Sequence, residues 1–224
     1  MWQTIVNAFA QGFQILYNLT VSIGIPSYAL AIIFLTLIIK IVLYPLTYKQ
    51  MHSMKRMQEV QPQIAEAQAK YKKNPQKSQQ VVMEIYKENN INPLAGCLPL
   101  LVQMPILIAL FQALRTFQYS ALGASFLWVP HLKDPDPIIL PIIVAATTFL
   151  QTKISAPPST GNNSAASTQK TMLYFMPLMI GYMSTKFPAG LSLYWIWFNI
   201  FGTLQQVYIN RQQPAVQKGE VTEK

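Results

Sequence analysis

Lys40 is the residue whose placement most demands a chemical explanation. It interrupts the apolar run 27–46, about 20 residues or roughly 30 Å of helix, enough to cross a bilayer. A Lys inside such a run costs on the order of 3 kcal/mol on insertion scales. All 8 acidic residues lie outside the apolar runs, so no carboxylate within a run is available to pair with it. Three arrangements meet the cost. Lys40 can snorkel, standing about six residues, roughly 9 Å, from the end of its run. It can face a water-filled cavity, or it can await an anionic group on something that enters. Thr36, one helical turn earlier, shares its face. Gln103, Gln112, Thr147, Gln151, Asn199, Thr203, Gln205 and Gln206 put further hydrogen-bonding groups in or at the edges of apolar runs. Singly, such residues join helix to helix or sit at interfaces. Gathered around an unpaired cation, they make a hydrated groove.

Enzymatic signals are weak. There is no GxxxxGK[ST] loop and no HExxH pair, so neither nucleotide hydrolysis nor zinc proteolysis is supported. His131 and Asp136 have the HxxxxD spacing of glycerolipid acyltransferases, but in a proline-broken connection without a soluble domain around it, and read as coincidence. The single Cys97 excludes an internal disulfide and a multi-cysteine metal site. A non-enzyme without cofactor or metal is expected. Met51, Met54 and Met57 form a soft apolar stripe, suited either to variable hydrophobic ligands or to helix packing.

The elements that must position these groups follow from composition and periodicity. Hydrophobic residues make up 51% and charged residues 11%, against about 25% charged in soluble domains. The expected fold is an all-α membrane protein: five transmembrane helices at 27–46, 94–114, 137–153, 171–186 and 190–209, forming a bundle. The third and fourth runs are short, so they either extend into flanking polar residues or thin the bilayer. Prolines 99, 105, 141 and 177 fall inside three of the runs, which favours a packed bundle whose neighbours re-satisfy the freed carbonyls.

Residues 1–25 carry no Lys or Arg and do not read as a cleavable signal. Trp2, Ile5, Phe9, Phe13, Leu16 and Leu19 recur at helical spacing, which predicts an external amphipathic helix at the membrane interface. Residues 47–92 read as a helical hairpin turning at Asn74-Pro75, kinked at Pro62, with Met54, Met57, Val60 and Ile64 facing Val81, Ile85 and Tyr86. An external loop at 115–136, a flexible cytoplasmic loop at 154–170 and a tail at 210–224 complete the chain. Most of the 17 Lys and Arg fall in the hairpin, the 154–170 loop and the tail, which places these in the cytoplasm and the N-terminus outside. The same basic surface, with a formal charge of +9, predicts contact with anionic lipid rather than with a specific nucleic-acid sequence.

Several stretches resemble the YidC-type membrane protein insertases of bacteria: Lys40 to Thr47, Gln61-Pro-Gln-Ile64, the run Asn92-Pro-Leu-Ala-Gly-Cys-Leu-Pro-Leu-Leu-Val-Gln-Met-Pro-Ile106, Phe187 to Trp195, and Asn199 followed by Gln205-Gln206. They stand in the expected order over roughly 27–209, and the form without a large external domain is similar to that of Gram-positive bacteria. The resemblance implies a plasma-membrane insertase and chaperone working without nucleotide hydrolysis. Its groove would open to the cytoplasm and lipid and close outward. Its clients would be nascent integral membrane proteins, with the ribosome and the Sec translocon as further candidate partners. The family's groove cation, usually Arg, falls on Lys40, with Thr36, Gln151, Tyr194 and Trp195 as groove neighbours and Gln103 and Asn199 as further polar lining. The hairpin becomes the receiving element, with Met51, Met54, Met57, Lys55 and Arg56 as client contacts. Lys is a point charge without Arg's fork, so a bidentate grip on a carboxylate is not implied. The tail is short and mildly basic, unlike that of long-tailed, ribosome-binding members. From another class, a small-solute channel or transporter would use the same polar cavity.

Overall fold

The computed structural model describes residues 2–92, 98–155 and 164–212. Among these, every regular element is a helix, with one isolated β-bridge between Phe126 and Val129. Ser27 starts α2 (Tyr28–Val42): its extended backbone and hydroxyl, accepting from the Leu30 N–H, satisfy one of the donors left free at a helix N-terminus. The expected run 27–46 does not continue straight. Pro45 lacks an N–H and is at home in a first turn, so the helix stops at Leu43 and restarts as α3 (Tyr44–Glu59), bent by 62°. The same device at Pro62 turns the expected hairpin kink into a break at Val60, after which α4 (Gln61–Lys70) begins. Asn74 then accepts from the Lys77 N–H at 3.1 Å and starts α5 (Pro75–Glu88), at the expected turn. Val60, Ile64 and Ile91 are buried between these arms, with Met57, Val82, Ile85 and Tyr86 packed on them. Val82 thus takes the place expected for Val81, and Met54 stands outside the cluster.

The other helices are α1 (Trp2–Ser22), α6 (Leu98–Thr116), α7 (Ile139–Ser155), α8 (Ser164–Ser184) and α9 (Ala189–Gln212). No single helix among the described residues is long and apolar enough to cross a membrane; α2 and α3 together pass as a bent pair. The loop expected at 154–170 is helical at both ends, because α7 runs to Ser155 and α8 starts at Ser164. Ala165 and Ala166 favour helix more than their Ser-rich setting suggested. Residues 156–163, the tail from 213, and the 93–97 part of the Asn92–Ile106 motif, including Cys97, lie outside the described residues.

The helices pack in a chain of neighbours: α8 on α7, α7 on α9, α9 on α2, α2 on α1 and α1 on α6, with α6 returning to touch α9. The expected N-terminal helix is present, and its buried residues Val6, Phe13, Tyr17 and Thr20 pack against protein, on α2 and α6. The core is lopsided. Most buried side chains of the bundle occupy α2 from Tyr28 to Thr36, α6 from Ala109 to Leu114, α7 from Leu140 to Thr148 and α9 from Ala189 to Asn199, at the end beside the 117–138 connection, with Ile209 of α9 buried nearer the other end. Toward the other end, Ile38, Ile41, Val42, Leu101, Met104, Leu204 and Tyr208 are exposed.

An aromatic cluster fills the closed end. Tyr17 stacks on Tyr28 at 3.7 Å and 5°, while Phe13, Phe117 and Tyr119 meet Tyr28 at tilted or edge-on angles. Backbone bonds tie the 117–138 connection over it: Tyr28 N–H to Gly123 O, Ala189 N–H to Asp134 O and Gly190 N–H to Leu132 O, at 2.9–3.1 Å. Gly123 is required here twice over, by φ +82° and by the Pro26 carbonyl oxygen, which a Cβ would meet at 2.5 Å.

Candidate functional site

Just beyond the buried core, α2, α7 and α9 bring Lys40, Gln151, Phe198 and Gly202 together. The Lys40 ammonium lies 3.3 Å from the centroid of the Phe198 ring, a cation held by the negative face of an aromatic quadrupole. Phe198 and Gly202 are one helical turn apart on α9 and share a face. A Cβ on Gly202 would stand 2.9 Å from Lys40 Nζ and 2.5 Å from Gln151 Nε2, so the bare backbone there makes room for both polar ends. Lys40, Gln151 and Phe198 are each half-buried. Among the described residues, no carboxylate pairs with Lys40.

The remaining expected groove residues divide into two groups. Gln103 Nε2 donates to the Tyr194 hydroxyl at 2.9 Å, joining α6 to α9. Trp195 Nε1 and Asn199 Nδ2 donate to the Thr148 hydroxyl at 3.1 and 2.8 Å, and Asn199 Nδ2 also reaches Thr147 at 3.2 Å, joining α9 to α7. Tyr194 and Asn199 are buried, so these two hold helices together. Thr36 is fully buried and donates to the Ile32 carbonyl of its own helix at 2.6 Å. It shares the face of Lys40 but spends its hydroxyl locally. In the hairpin arm, Met51, Met54 and Lys55 are half-buried and Arg56 is exposed, while Met57 packs inward against the Val60 cluster.

Phe198, Gly202 and Thr148 were not among the expected site residues. The signal for the first two was present: Tyr194, Phe198 and Gly202 recur at four-residue spacing and must share a face of α9. The HxxxxD pair has a different explanation from catalysis. One Asp136 oxygen accepts the backbone N–H groups of Ile138, Ile139 and Leu140 at 2.8, 2.8 and 3.3 Å, and the other accepts Trp128 Nε1 at 2.6 Å. Pro141 follows in the first turn of α7, where its missing N–H needs no partner. Burial alone would raise the Asp136 pKa, but those backbone and indole donors outweigh it and hold the carboxyl below its ordinary value. His131 is exposed.

The model of the 60Kd inner membrane protein family matches residues 19–217. The chain belongs to this family, that of the YidC-type membrane protein insertases. It is 42% identical over 213 residues to the membrane protein insertase YidC of Clostridium perfringens, covering 92% of this chain and 89% of the relative. Identity to the YidC of Oceanobacillus iheyensis is 46% over 196 residues, 84% of this chain and 76% of the other. The YidC of Fusobacterium nucleatum is 40% identical over 209 residues, 93% and 98% of the two chains. The resemblance in the Asn92–Ile106, Phe187–Trp195 and Lys40–Thr47 stretches is therefore one of family.

Proposed function

We propose that this protein is a bacterial membrane insertase that receives nascent membrane proteins in a one-sided hydrated groove at Lys40. The observation that carries the reading is the convergence of Lys40 and Gln151 on Gly202, just beyond a core packed mainly at the end beside the 117–138 connection. In this reading α2, α6, α7, α8 and α9 are the five membrane segments, with the aromatic cluster outward, and the α3–α5 hairpin and the tail are cytoplasmic. At about 1.5 Å per residue, α8 and α9 are roughly 31 and 36 Å long, enough for a hydrocarbon core. Their mean hydropathy is kept down by the polar residues a groove requires, such as Asn199, Thr203, Gln205 and Gln206 on α9.

The mechanism is thermodynamic. A hydrated groove within one leaflet shortens the apolar distance that a client's external polar segment must cross. Lys40 attracts acidic groups on that segment, at a depth where a cation has few competing partners. Transfer of the client helix into lipid, at about 25 cal/mol per Å² of apolar surface, supplies the drive. No nucleotide is needed, and the membrane potential assists acidic segments moving outward, by about 2.3 kcal/mol per charge per 100 mV. The hairpin receives the client at the half-exposed Met51, Met54, Lys55 and Arg56 surface. Nascent chains are the substrate, with the ribosome and Sec translocon as partners in delivery and anionic lipid beneath the basic hairpin.

The test is insertion into proteoliposomes. Lys40→Ala, folded and present at wild-type level, loses insertion of clients with acidic external segments, while Lys40→Arg keeps it. Normal insertion of those clients by Lys40→Ala would overturn the electrostatic role and leave Lys40 a snorkelling residue.

A further inference from the structure

The Lys40 ammonium, carried by α2, lies against α9, and three features of α9 and α7 surround it. The first is the Phe198 ring under the ammonium, with 3.3 Å to the centroid. Next comes Gly202, one turn further along the same face, where a Cβ would crowd Lys40 Nζ at 2.9 Å. The last is Gln151, whose amide occupies the same notch from the α7 side, 2.5 Å from that Cβ position. Besides meeting water or an entering anion, an ammonium with no carboxylate in the apolar runs has two ways to lower its energy within the protein. It can run along its flexible stem to the interface, or it can lie on a π face. Here the ring takes it, and the notch leaves it space to lie there.

We infer that Phe198 is a positioning residue for the groove cation, holding the Lys40 ammonium at the depth where a client's carboxylate meets it, with Gly202 as the notch that admits it. The inference rests on the groove reading above. The ring contacts one face of the ammonium, and in this inference a client's carboxylate meets it from another. Phe198 acts through Lys40 and touches no client in this account. It also bears on why a Lys serves here: a compact ammonium fits between a ring and a glycine notch that a planar guanidinium would fill differently.

The experiment compares Phe198→Leu with wild type in proteoliposomes, using two clients that differ only in whether the external segment carries Asp and Glu or Asn and Gln. Leu keeps an apolar side chain of similar reach but removes the quadrupole. Insertion of the acidic client should fall about fivefold, the worth of a partly desolvated cation–π contact, with the neutral client unchanged. Phe198→Tyr should restore the acidic client, which a packing defect would not predict. In the Lys40→Ala background Phe198→Leu should have no further effect. Gly202→Ala should reproduce the selective loss without touching the ring. If Lys40→Ala impairs the acidic client but Phe198→Leu does not, the positioning role is wrong and the groove reading stands. Equal loss of both clients in Phe198→Leu makes the ring a packing residue and also overturns the role. If Lys40→Ala is itself normal, the groove reading fails first.

Discussion

Asp136→Ala offers the sharpest test of how the closed end is built. The substitution removes the acceptor for three backbone N–H groups at the start of α7 and the partner of the Trp128 indole. Loss of an N-cap acceptor costs about 1–2 kcal/mol. A stranded indole N–H adds about 1 kcal/mol, the low end of the range for an unpaired donor, because Trp128 is 43% exposed and can reach water. The expected loss is about 2–3 kcal/mol, a drop in Tm of roughly 5–10 °C for a chain of this size. Asp136→Asn keeps an amide oxygen for the helix but can set an N–H against the indole, and should lose about 1 kcal/mol. The exposed His131→Ala should stay within about 0.5 kcal/mol. Thermal unfolding in detergent, followed by Trp fluorescence, reads all three. A pH series adds an independent check. The folded carboxyl has a lowered pKa, so its contribution is complete above the unfolded value of about 3.9 and is lost as pH falls through the folded one. Asp136→Asn should therefore remove part of the acid destabilisation seen in wild type. An Asp136→Ala protein as stable as wild type would refute the capping role, and equal loss of a measurable acyl transfer in His131→Ala and Asp136→Ala would revive the HxxxxD reading.

Two further outcomes follow from the packing. Shortening the hairpin symmetrically about Asn74-Pro75, while keeping the Val60–Ile64–Ile91 cluster, should leave the bundle folded and reduce client insertion severalfold; full activity in the same assay would make the hairpin a linker. Gly181→Val should push α7 from α8, because a Cβ there meets Ala145 Cβ at 2.9 Å and the Pro141 carbonyl oxygen at 3.1 Å. The cost is about 1–3 kcal/mol in detergent unfolding, partly recovered with Ala145→Gly, and an unchanged Tm would mean that the two helices do not rely on that close approach.

Much of the chemistry was legible because charge in an apolar run is costly wherever the helix ends up. Lys40 and the absence of a carboxylate to match it could be read from residue order alone. Its contact with Phe198 was legible only in part: the four-residue spacing of Tyr194, Phe198 and Gly202 puts ring and notch on one face of α9, but which helix that face meets needs the relative rotation of α2 and α9. Helix boundaries were least visible where two signals competed. Pro45 sat near the end of a strongly apolar run, and hydropathy hid the restart that proline chemistry marks. Ala165 and Ala166 were outweighed by the Ser and Asn around them. At Asp136 a catalytic spacing drew the eye, whereas Asp-Pro-Ile-Ile-Leu-Pro is a helix start: an acceptor ahead of the first turn and a proline where no N–H is needed. The aromatic cluster of Phe13, Tyr17, Tyr28, Phe117 and Tyr119 joins three distant segments, and no local pattern encodes such a meeting.

An insertase of this design needs the space beside Lys40 to be wet and open to one side only. Replacing the sole cysteine by Cys97→Ser and introducing Gln151→Cys keeps Lys40 and places a thiol at the notch. A membrane-impermeant thiol reagent should then label Gln151→Cys in inverted vesicles, where the cytoplasmic face is outward, and leave it unlabelled in right-side-out vesicles, with Leu122→Cys in the 117–138 connection giving the opposite pattern. Labelling of Gln151→Cys from the external side would make the cavity a pore, and protection from both sides would mean that it is dry; either result would contradict the insertase mechanism.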